Sequence, residues 1–255
     1  MLNEFNEEIK SLLSTSSVLT EILPLLRNHF QQLLANNEFK LACIDEIISG
    51  IYLAKSERLE WVSPAIIECP ELNYSIRVVY WPAFYENNPH KHKTWSVTGV
   101  FHNKLNVHTY ALLEDPIRLK RERIIAANAG ESGYLLPGCI HSVGNPSYEV
   151  SASIHIFNNL PGIENSEDNA IWYPSPRKHN LANGLLERAF SVCLSMLSEI
   201  GSPKALDLID KIYFIAPMQT KLCALNNLIN THPDYAILKI KELEMDLNKK
   251  ITRCA

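Results

Sequence analysis

The sequence has no long hydrophobic run and no surplus of positive charge. No uninterrupted apolar stretch reaches the roughly 20 residues that a membrane helix requires. The 255 residues include 24 Lys and Arg against 28 Asp and Glu, a net charge of -4. Because nucleic acids are bound by basic surfaces, we expect neither nucleic acid nor membrane as a partner. A small anionic substrate, which needs only one or two local cations, stays open.

The sequence also has no CxxC pair and no basic segment at its N-terminus. Its six cysteines are scattered through a chain that is too large to need disulfide bonds for stability. Three glutamates precede position 10, which argues against a signal peptide. We therefore expect reduced thiols in a cytoplasmic protein.

Hydrophobic periodicity divides the chain into three zones. Residues 1–56 carry apolar side chains at helical spacing and are predicted to form two or three short helices. Residues 57–165 contain short segments rich in β-branched and aromatic residues, separated by Pro, Gly and Asn, which is typical of a sandwich or barrel. The helical period returns in residues 166–255, with one helix ending at Gly201. The expected strands are 74–81, 95–101, 105–113, 123–127, 133–136 and 148–157, and the further C-terminal helices are 204–214 and 234–253.

The first candidate site lies in the sequence His90-Lys91-His92, after a turn rich in Pro and Asn. In an extended chain, residues i and i+2 point to the same face, so both imidazoles can converge on one point. Taken alone, such a pair is more often two ordinary histidines than a metal site. His108, by contrast, alternates with the apolar Val107 and is predicted to lie at the protein surface.

A third histidine follows a tight turn some 45 residues later. Pro137-Gly138 predicts the turn, and His141 begins the next segment. An imidazole that arrives from a different strand is what a facial metal site requires, whereas the alternative is a hairpin with a surface histidine.

The segment 151–157 has one half-polar face. Period two places Ser151, Ser153, His155 and Phe157 together, opposite an apolar face. This pattern predicts a polar pocket inside a barrel, with the apolar face packed outward under helices. For His155, a functional role and a buried structural role stay equally open.

The spacing of HxH and PGxxHxxxN resembles the two halves of the cupin signature. More narrowly, residues 74–157 resemble the cysteine dioxygenase family of thiol dioxygenases. The resemblance rests on His90 and His92 without the usual following glutamate, the strand TWSVTGV, His141, and the segment with Ser153 and His155. It implies a mainly β fold with flanking helices: a cupin-type barrel (a double-stranded β-helix, or jelly roll) over 57–165. Helical segments at 1–56 and 166–255 would flank it.

The resemblance also implies the chemistry. Mononuclear Fe²⁺ would be held by His90, His92 and His141, with open positions for a small thiol substrate and O2. His155, oriented by Ser153, would act in catalysis from the second layer of residues. Imidazoles suit iron, zinc, copper and nickel alike, so the ligand set does not name the metal.

Two departures concern the substrate. The family's relay would place a tyrosine where this chain has Phe157, and the family's cysteine–tyrosine cross-link has no counterpart here. The region aligned with the family's carboxylate-binding arginine lacks one, which leaves Arg77 as a candidate substrate-binding residue. Phe157 and Trp95 are the other candidate substrate-binding residues, and Trp95 is predicted to pack in the barrel.

Three functions follow from these observations. The first is a thiol dioxygenase-like enzyme, the second is a cupin metalloenzyme that acts on a non-thiol substrate, and the third is a non-enzymatic binding module. The C-terminal helices would serve as a homodimer interface or as a lid.

Overall fold

The computed structural model describes residues 1–53, 64–113, 118–160, 170–173 and 184–254. Its contacts divide the chain into two units, Met1–Arg188 and Ala189–Ala255, and each has its own architecture. The three-zone division drawn from the sequence stays a prediction.

Three helices open the first unit, as the sequence predicts. They are α1 (Leu2–Thr15), α2 (Leu19–Leu34) and α3 (Asn37–Leu53). Their apolar stripes meet in an aromatic cluster: the ring of Phe5 stacks on Phe30 at 5.7 Å and meets the edge of Phe39 at 5.2 Å. Such ring pairs add to the free energy of burial, and all three rings are inaccessible to solvent.

The strands follow in the described part of the same unit. Their bounds are β1 (Ile67–Cys69), β2 (Tyr74–Trp81), β3 (His90–His92), β4 (Ser96–His102), β5 (Lys104–Leu112), β6 (Leu119–Asn128), β7 (Ser132–Leu135), β8 (Ile140–Gly144), β9 (Ser151–Asn158) and β10 (Ala170–Trp172). All six predicted strands are present, with small shifts at their ends. The short strands β1, β3, β8 and β10 are not among the six expected strands.

The strands form two antiparallel five-stranded sheets. Sheet A has the order β1-β2-β9-β4-β7, and sheet B has the order β10-β3-β8-β5-β6. Each sheet includes neighbours from distant parts of the chain, such as β2 with β9 and β5 with β8, and alternate side chains of both sheets face a shared interior. With the helices at either end of the sequence, this arrangement confirms the predicted fold class: a cupin-type barrel with N-terminal and C-terminal helical segments.

Helix α2 packs against the outer face of sheet A. A Cβ atom added to Gly99 on β4 would lie 2.2 Å from Leu34 and 3.1 Å from Phe30 of that helix. Glycine is therefore required at this position by the close approach of helix and sheet. The hydroxyl of Ser132 on β7 donates a hydrogen bond to the backbone carbonyl of Arg27 at 3.0 Å. The apolar face of the sheet is thus covered by a helix, as the pattern of β9 predicts.

The second unit is helical. Most of α4 (Leu185–Ile200) belongs to it, followed by α5 (Pro203–Ile215), α6 (Met218–Thr231) and α7 (Pro233–Cys254). Gly201 follows α4 with a φ of +61°, and the Ser202 hydroxyl accepts a hydrogen bond from the Ala205 amide at the start of α5. The sequence predicts α4, α5 and α7 but misses α6. Among the helices of the described residues, none has the length and hydropathy to cross a membrane.

Candidate metal centre

Three histidines of sheet B converge on one point inside the barrel. His90 and His92 lie two residues apart on β3, and His141 on β8 pairs in register with His90. One nitrogen from each ring lies within 4.8 Å of the other two, and the Nε2 atoms of His90 and His92 are 3.1 Å apart. The structure thus brings together the three histidines that the sequence singles out; we refer to them as the histidine triplet.

The distance between the ligand atoms of His90 and His92 fits a single metal ion. Two imidazole nitrogens bound at about 2.1 Å to one ion, at right angles, lie about 3 Å apart. The separation of 3.1 Å between His90 Nε2 and His92 Nε2 matches this value. The donor set therefore fits a facial site for iron, zinc or a related divalent ion.

Backbone carbonyls orient two of the three rings. His90 Nδ1 lies 3.1 Å from the Asn88 carbonyl oxygen, and His141 Nδ1 lies 3.1 Å from that of Cys139. Each Nδ1–H donates to its carbonyl, which leaves Nε2 as the ligand atom. Both carbonyls lie two residues before their histidine, so each segment that delivers a ligand also fixes its tautomer.

The turn before His141 positions one of these carbonyls. Pro137 and Gly138 occupy its centre, the Cys139 amide donates to the Leu136 carbonyl at 3.2 Å, and Gly138 has a φ of +82°. Proline followed by a residue of positive φ is the signature of a type II turn, where glycine is free of strain. The Gly138 amide also donates to the His92 carbonyl at 2.9 Å. The turn is therefore fastened directly to the strand that carries two of the ligands.

The triplet lies in a low-dielectric environment. Burial and, to a smaller extent, the neighbouring His92 lower the pKa of His141 to about 4. At neutral pH this imidazole is uncharged, which is the form that binds a metal. Within the part of the chain that the structure describes, no acidic side chain joins the group. A bound divalent ion would accordingly keep its full charge.

A fourth histidine lies on the opposite sheet, facing the same interior. His155 on β9 is held at both ring nitrogens, by Ser153 Oγ at 2.7 Å and Thr98 Oγ1 at 2.8 Å. The indole N–H of Trp81 donates to the same Ser153 oxygen at 2.8 Å. Phe157 stacks on His155 at 4.6 Å with its ring 5° from parallel. Burial, with smaller contributions from His92 and His141, lowers the pKa of His155 to about 3, so the ring is neutral at neutral pH.

The sheets enclose a cavity of about 170 Å³ next to the triplet. Phe157 lines this cavity together with His155 and all three histidines of the triplet. Trp95 is buried, as expected for a residue packed in the barrel, but does not belong to the described lining.

Arg77 lies close to the site in register but makes other contacts. Its Cα atom is opposite that of His155 across β2 and β9. Its guanidinium lies 3.2 Å from a Glu68 oxygen, and its Nε donates to Ser75 Oγ at 3.4 Å. It is not among the described residues that line the cavity. Its proposed contact with a substrate carboxylate stays a prediction.

Sequence reasoning missed several residues that support the site. Trp172 stacks on His90 at 4.0 Å, because β10 pairs with β3 and places the two residues opposite each other. Thr98 and Trp81 complete the polar contacts around His155. The alternation of side chains along β4 and β2 could have predicted that Thr98 and Trp81 face the interior of the barrel. Nothing local to Trp172 points to its pairing with a strand 80 residues earlier.

A second polar cluster lies on the outer face of sheet B. Glu86 Oε1 lies 2.7 Å from His108 Nδ1 and accepts a hydrogen bond from Ser142 Oγ at 2.7 Å, while Tyr110 lies 3.0 Å from the same hydroxyl. We refer to these four residues as the outer cluster. Burial opposes ionisation of Glu86, but the hydrogen bonds from Ser142 and His108 outweigh it and lower its pKa. The prediction that His108 is a surface residue is wrong: it is 7% exposed, because the segment bearing Glu86 covers it.

No protein-family model and no curated protein matches the chain. Solved structures that resemble it include oxalate oxidase in complex with the substrate analogue glycolate (22% identity, 40% of this chain and 47% of that chain, TM-score 0.32). Another is the DMSP lyase DddQ from Ruegeria pomeroyi (13% identity, 42% of this chain and 46% of that chain, TM-score 0.31). A third is a cupin superfamily protein from Desulfitobacterium hafniense (9% identity, 39% of this chain and 78% of that chain, TM-score 0.31). The matched part spans about half the length of the first two. The fold assignment rests on the two sheets and their strand order.

Proposed function

We propose that the protein is a mononuclear non-haem iron oxygenase that oxidises a small thiol with O2 to the sulfinate. The observation that supports this proposal is the convergence of three imidazoles at the wall of an apolar cavity, with no acidic side chain in the described histidine group. Neutral ligands leave the charge of a divalent ion uncompensated, so a thiol that reaches the ion would lose its proton easily and the resulting thiolate would be attracted. Both atoms of O2 enter the product, and no further reductant is needed.

The residues of the chain have separate tasks in this proposal. His90, His92 and His141 hold the iron, which when bound supplies the redox chemistry by which O2 reacts with a thiol. His155 is kept neutral by burial and held in place by Ser153 and Thr98, and it would form a fixed polar part of the cavity wall near the reacting sulfur. Phe157 covers the ring of His155 and excludes water from that side of the cavity.

A second candidate is a cupin metalloenzyme that acts on a non-thiol substrate. Two observations favour it: position 157 offers a ring without a phenol, and the guanidinium of Arg77 already contacts Glu68. The same histidine triplet would then hold the metal, and the reaction would differ.

Metal content and aerobic product analysis separate these functions. We expect about one iron per chain in the purified protein, and O2 uptake that depends on a thiol when cysteine, cysteamine, 3-mercaptopropionate and simple alkyl thiols are offered. The product should carry two additional oxygen atoms by mass. Iron without thiol-dependent uptake would instead favour the second candidate. A protein that binds no metal, and that H141A leaves unchanged, would point to a non-enzymatic binding module.

We also propose that the protein forms a homodimer through its C-terminal helices. The support is a set of large apolar side chains that are exposed in the second unit, of which Phe214, at 85% exposure, is the clearest. Light scattering coupled to gel filtration tests this proposal. The full-length chain should elute as a dimer and F214E as a monomer, whereas a monomeric wild-type protein would contradict it.

A further inference from the structure

The wall of the cavity away from the histidine triplet is apolar. Its buried part consists of Val79, Trp81, Val100, Leu105 and Val143, which form one hydrophobic cluster drawn from both sheets. Val107 and Ala127 pack against this cluster and also line the cavity. We refer to these seven residues as the apolar wall. A ligand whose donor atom faces the triplet must place the rest of its body against this wall.

The described lining of the cavity offers no cation to a substrate. None of the residues placed there by the structure is Lys or Arg, and Glu131 is their one acidic member. Arg77 shares the inner face of sheet A, but its guanidinium contacts Glu68 outside the lining. A carboxylate placed against the apolar wall would lose its hydration without gaining a cationic side chain among the described lining residues, which is unfavourable.

The size of the cavity limits the body of the ligand. Its volume is about 170 Å³. An engineered apolar cavity of about 150 Å³ in another protein stays dry and binds benzene. A ligand of about six to eight non-hydrogen atoms therefore fills the space next to the triplet, by comparison with that example.

We propose that the substrate is a small thiol with an uncharged, apolar body and no carboxylate, such as a short branched alkyl thiol or an aryl thiol. This inference rests on the proposed function for the identity of the donor atom. The apolar body and its size follow from the cavity alone. The affinity for such a ligand comes from burial against the apolar wall, and the discrimination against carboxylates comes from their uncompensated desolvation.

A matched pair of ligands tests the inference. In 3-methylbutane-1-thiol the carboxylate of 3-mercaptopropionate is replaced by an isopropyl group of the same shape, so the two differ mainly in charge. Calorimetry on zinc-loaded protein, in which no oxidation takes place, should give at least tenfold tighter binding of the alkyl thiol. Equal or tighter binding of 3-mercaptopropionate would overturn the inference.

A matched pair of variants tests where the body of the ligand lies. Ala127 on β6 faces the cavity, and its neighbour Ala126 is exposed on the opposite face of the same strand. Ala127→Leu should fill part of the cavity and weaken binding of the alkyl thiol at least tenfold. Ala126→Leu should change it less than twofold, and both variants should bind one zinc. If Ala127→Leu binds zinc and the alkyl thiol as the wild type does, the inference fails.

Benzene binding to the metal-free protein separates this inference from the proposed function. If the chain binds no metal but binds benzene in a manner that Ala127→Leu abolishes, the proposed function fails and the apolar cavity is supported. If the triplet binds iron and 3-mercaptopropionate is the preferred thiol, the proposed function survives and the inference is overturned.

Discussion

Sheet B carries histidines on both of its faces, and the two groups differ in their partners. On the inner face, the histidine triplet has carbonyl oxygens at two Nδ1 atoms and no described acidic neighbour. On the outer face, His108 lies 2.7 Å from the carboxylate of Glu86. His141 and Ser142 are adjacent on β8, yet the first belongs to the triplet and the second to the outer cluster. Strand periodicity alone assigns them to the two faces.

The comparison teaches that the neighbours of a histidine decide its chemistry. The carboxylate of Glu86 occupies a ring nitrogen of His108, which suits a structural contact. An imidazole whose Nδ1–H donates to a backbone carbonyl keeps Nε2 available for a metal, and burial keeps that of His141 neutral. The inner group is therefore suited to ligation, and the outer cluster is suited to fastening the segment around Glu86 onto the sheet.

The largest expected effect is a difference in metal affinity between two variants, each of which lacks one histidine from one face of sheet B. His141→Ala removes a ligand from the triplet and should weaken metal binding at least 100-fold, since two imidazoles hold a divalent ion far less well than three. His108→Ala removes a residue of the outer cluster and should leave one metal per chain. Titration with Zn²⁺ or Fe²⁺ followed by calorimetry measures both variants. Loss of the metal in His108→Ala, or its retention in His141→Ala, would contradict the proposal that only the inner face binds the metal.

Acidification of the metal-free protein should destabilise the inner face. The pKa values of His141 and His155 are lowered in the folded protein to about 4 and about 3, so between these values and about 6.5 the unfolded chain binds more protons than the folded one. This contribution to stability is complete above pH 6.5 and is lost as the pH falls toward 4. For His141 alone it amounts to about 3 kcal/mol.

Urea denaturation at several pH values measures this effect. His155→Gln, which cannot be protonated, should show a shallower dependence of the unfolding free energy on pH than the wild type does. Stability that stays constant between pH 6.5 and pH 4.5 would contradict the account of buried neutral histidines.

Two buried serines should differ in their effect on activity in the same way as the two groups of histidines. Ser142 in the outer cluster and Ser153 beside His155 are both inaccessible to solvent. Replacing either by alanine should cost about 1–3 kcal/mol of unfolding free energy, because buried polar partners lose a hydrogen bond. Ser142→Ala should leave thiol-dependent O2 uptake unchanged per folded molecule, whereas Ser153→Ala should reduce it while one metal stays bound. Equal activities of the two variants would contradict the proposed functional role of Ser153 and His155.

The smallest effect is expected at Arg77. Its ion pair with Glu68 lies at a partly exposed position, so Arg77→Gln should change stability by less than about 1 kcal/mol. The affinity for 3-mercaptopropionate should change less than twofold, as measured by calorimetry. A tenfold loss of this affinity, with the affinity for 3-methylbutane-1-thiol unaffected, would instead establish Arg77 as the residue that binds a carboxylate.

The sequence was sufficient to predict much of the fold and the core of the site. Local period and turn chemistry are direct signals, so they identified the helices α1 to α3, six strands and the three metal-ligand candidates. Helix α6 was missed because its asparagines and threonines weaken the helical signal. The burial of His108 depends on Glu86, 22 residues earlier in the chain, and no local period reports such a pairing. The stacking of Trp172 on His90 was hidden for the same reason.

The most direct test of the central claim is a count of the metal's ligands. X-ray absorption at the zinc edge of the zinc-loaded protein should detect three imidazole nitrogens at about 2.1 Å and no sulfur from the protein. The same spectrum of His141→Ala should lose one imidazole. Fewer than three imidazoles in the wild type, or a cysteine sulfur among the ligands, would contradict a metal centre built from His90, His92 and His141.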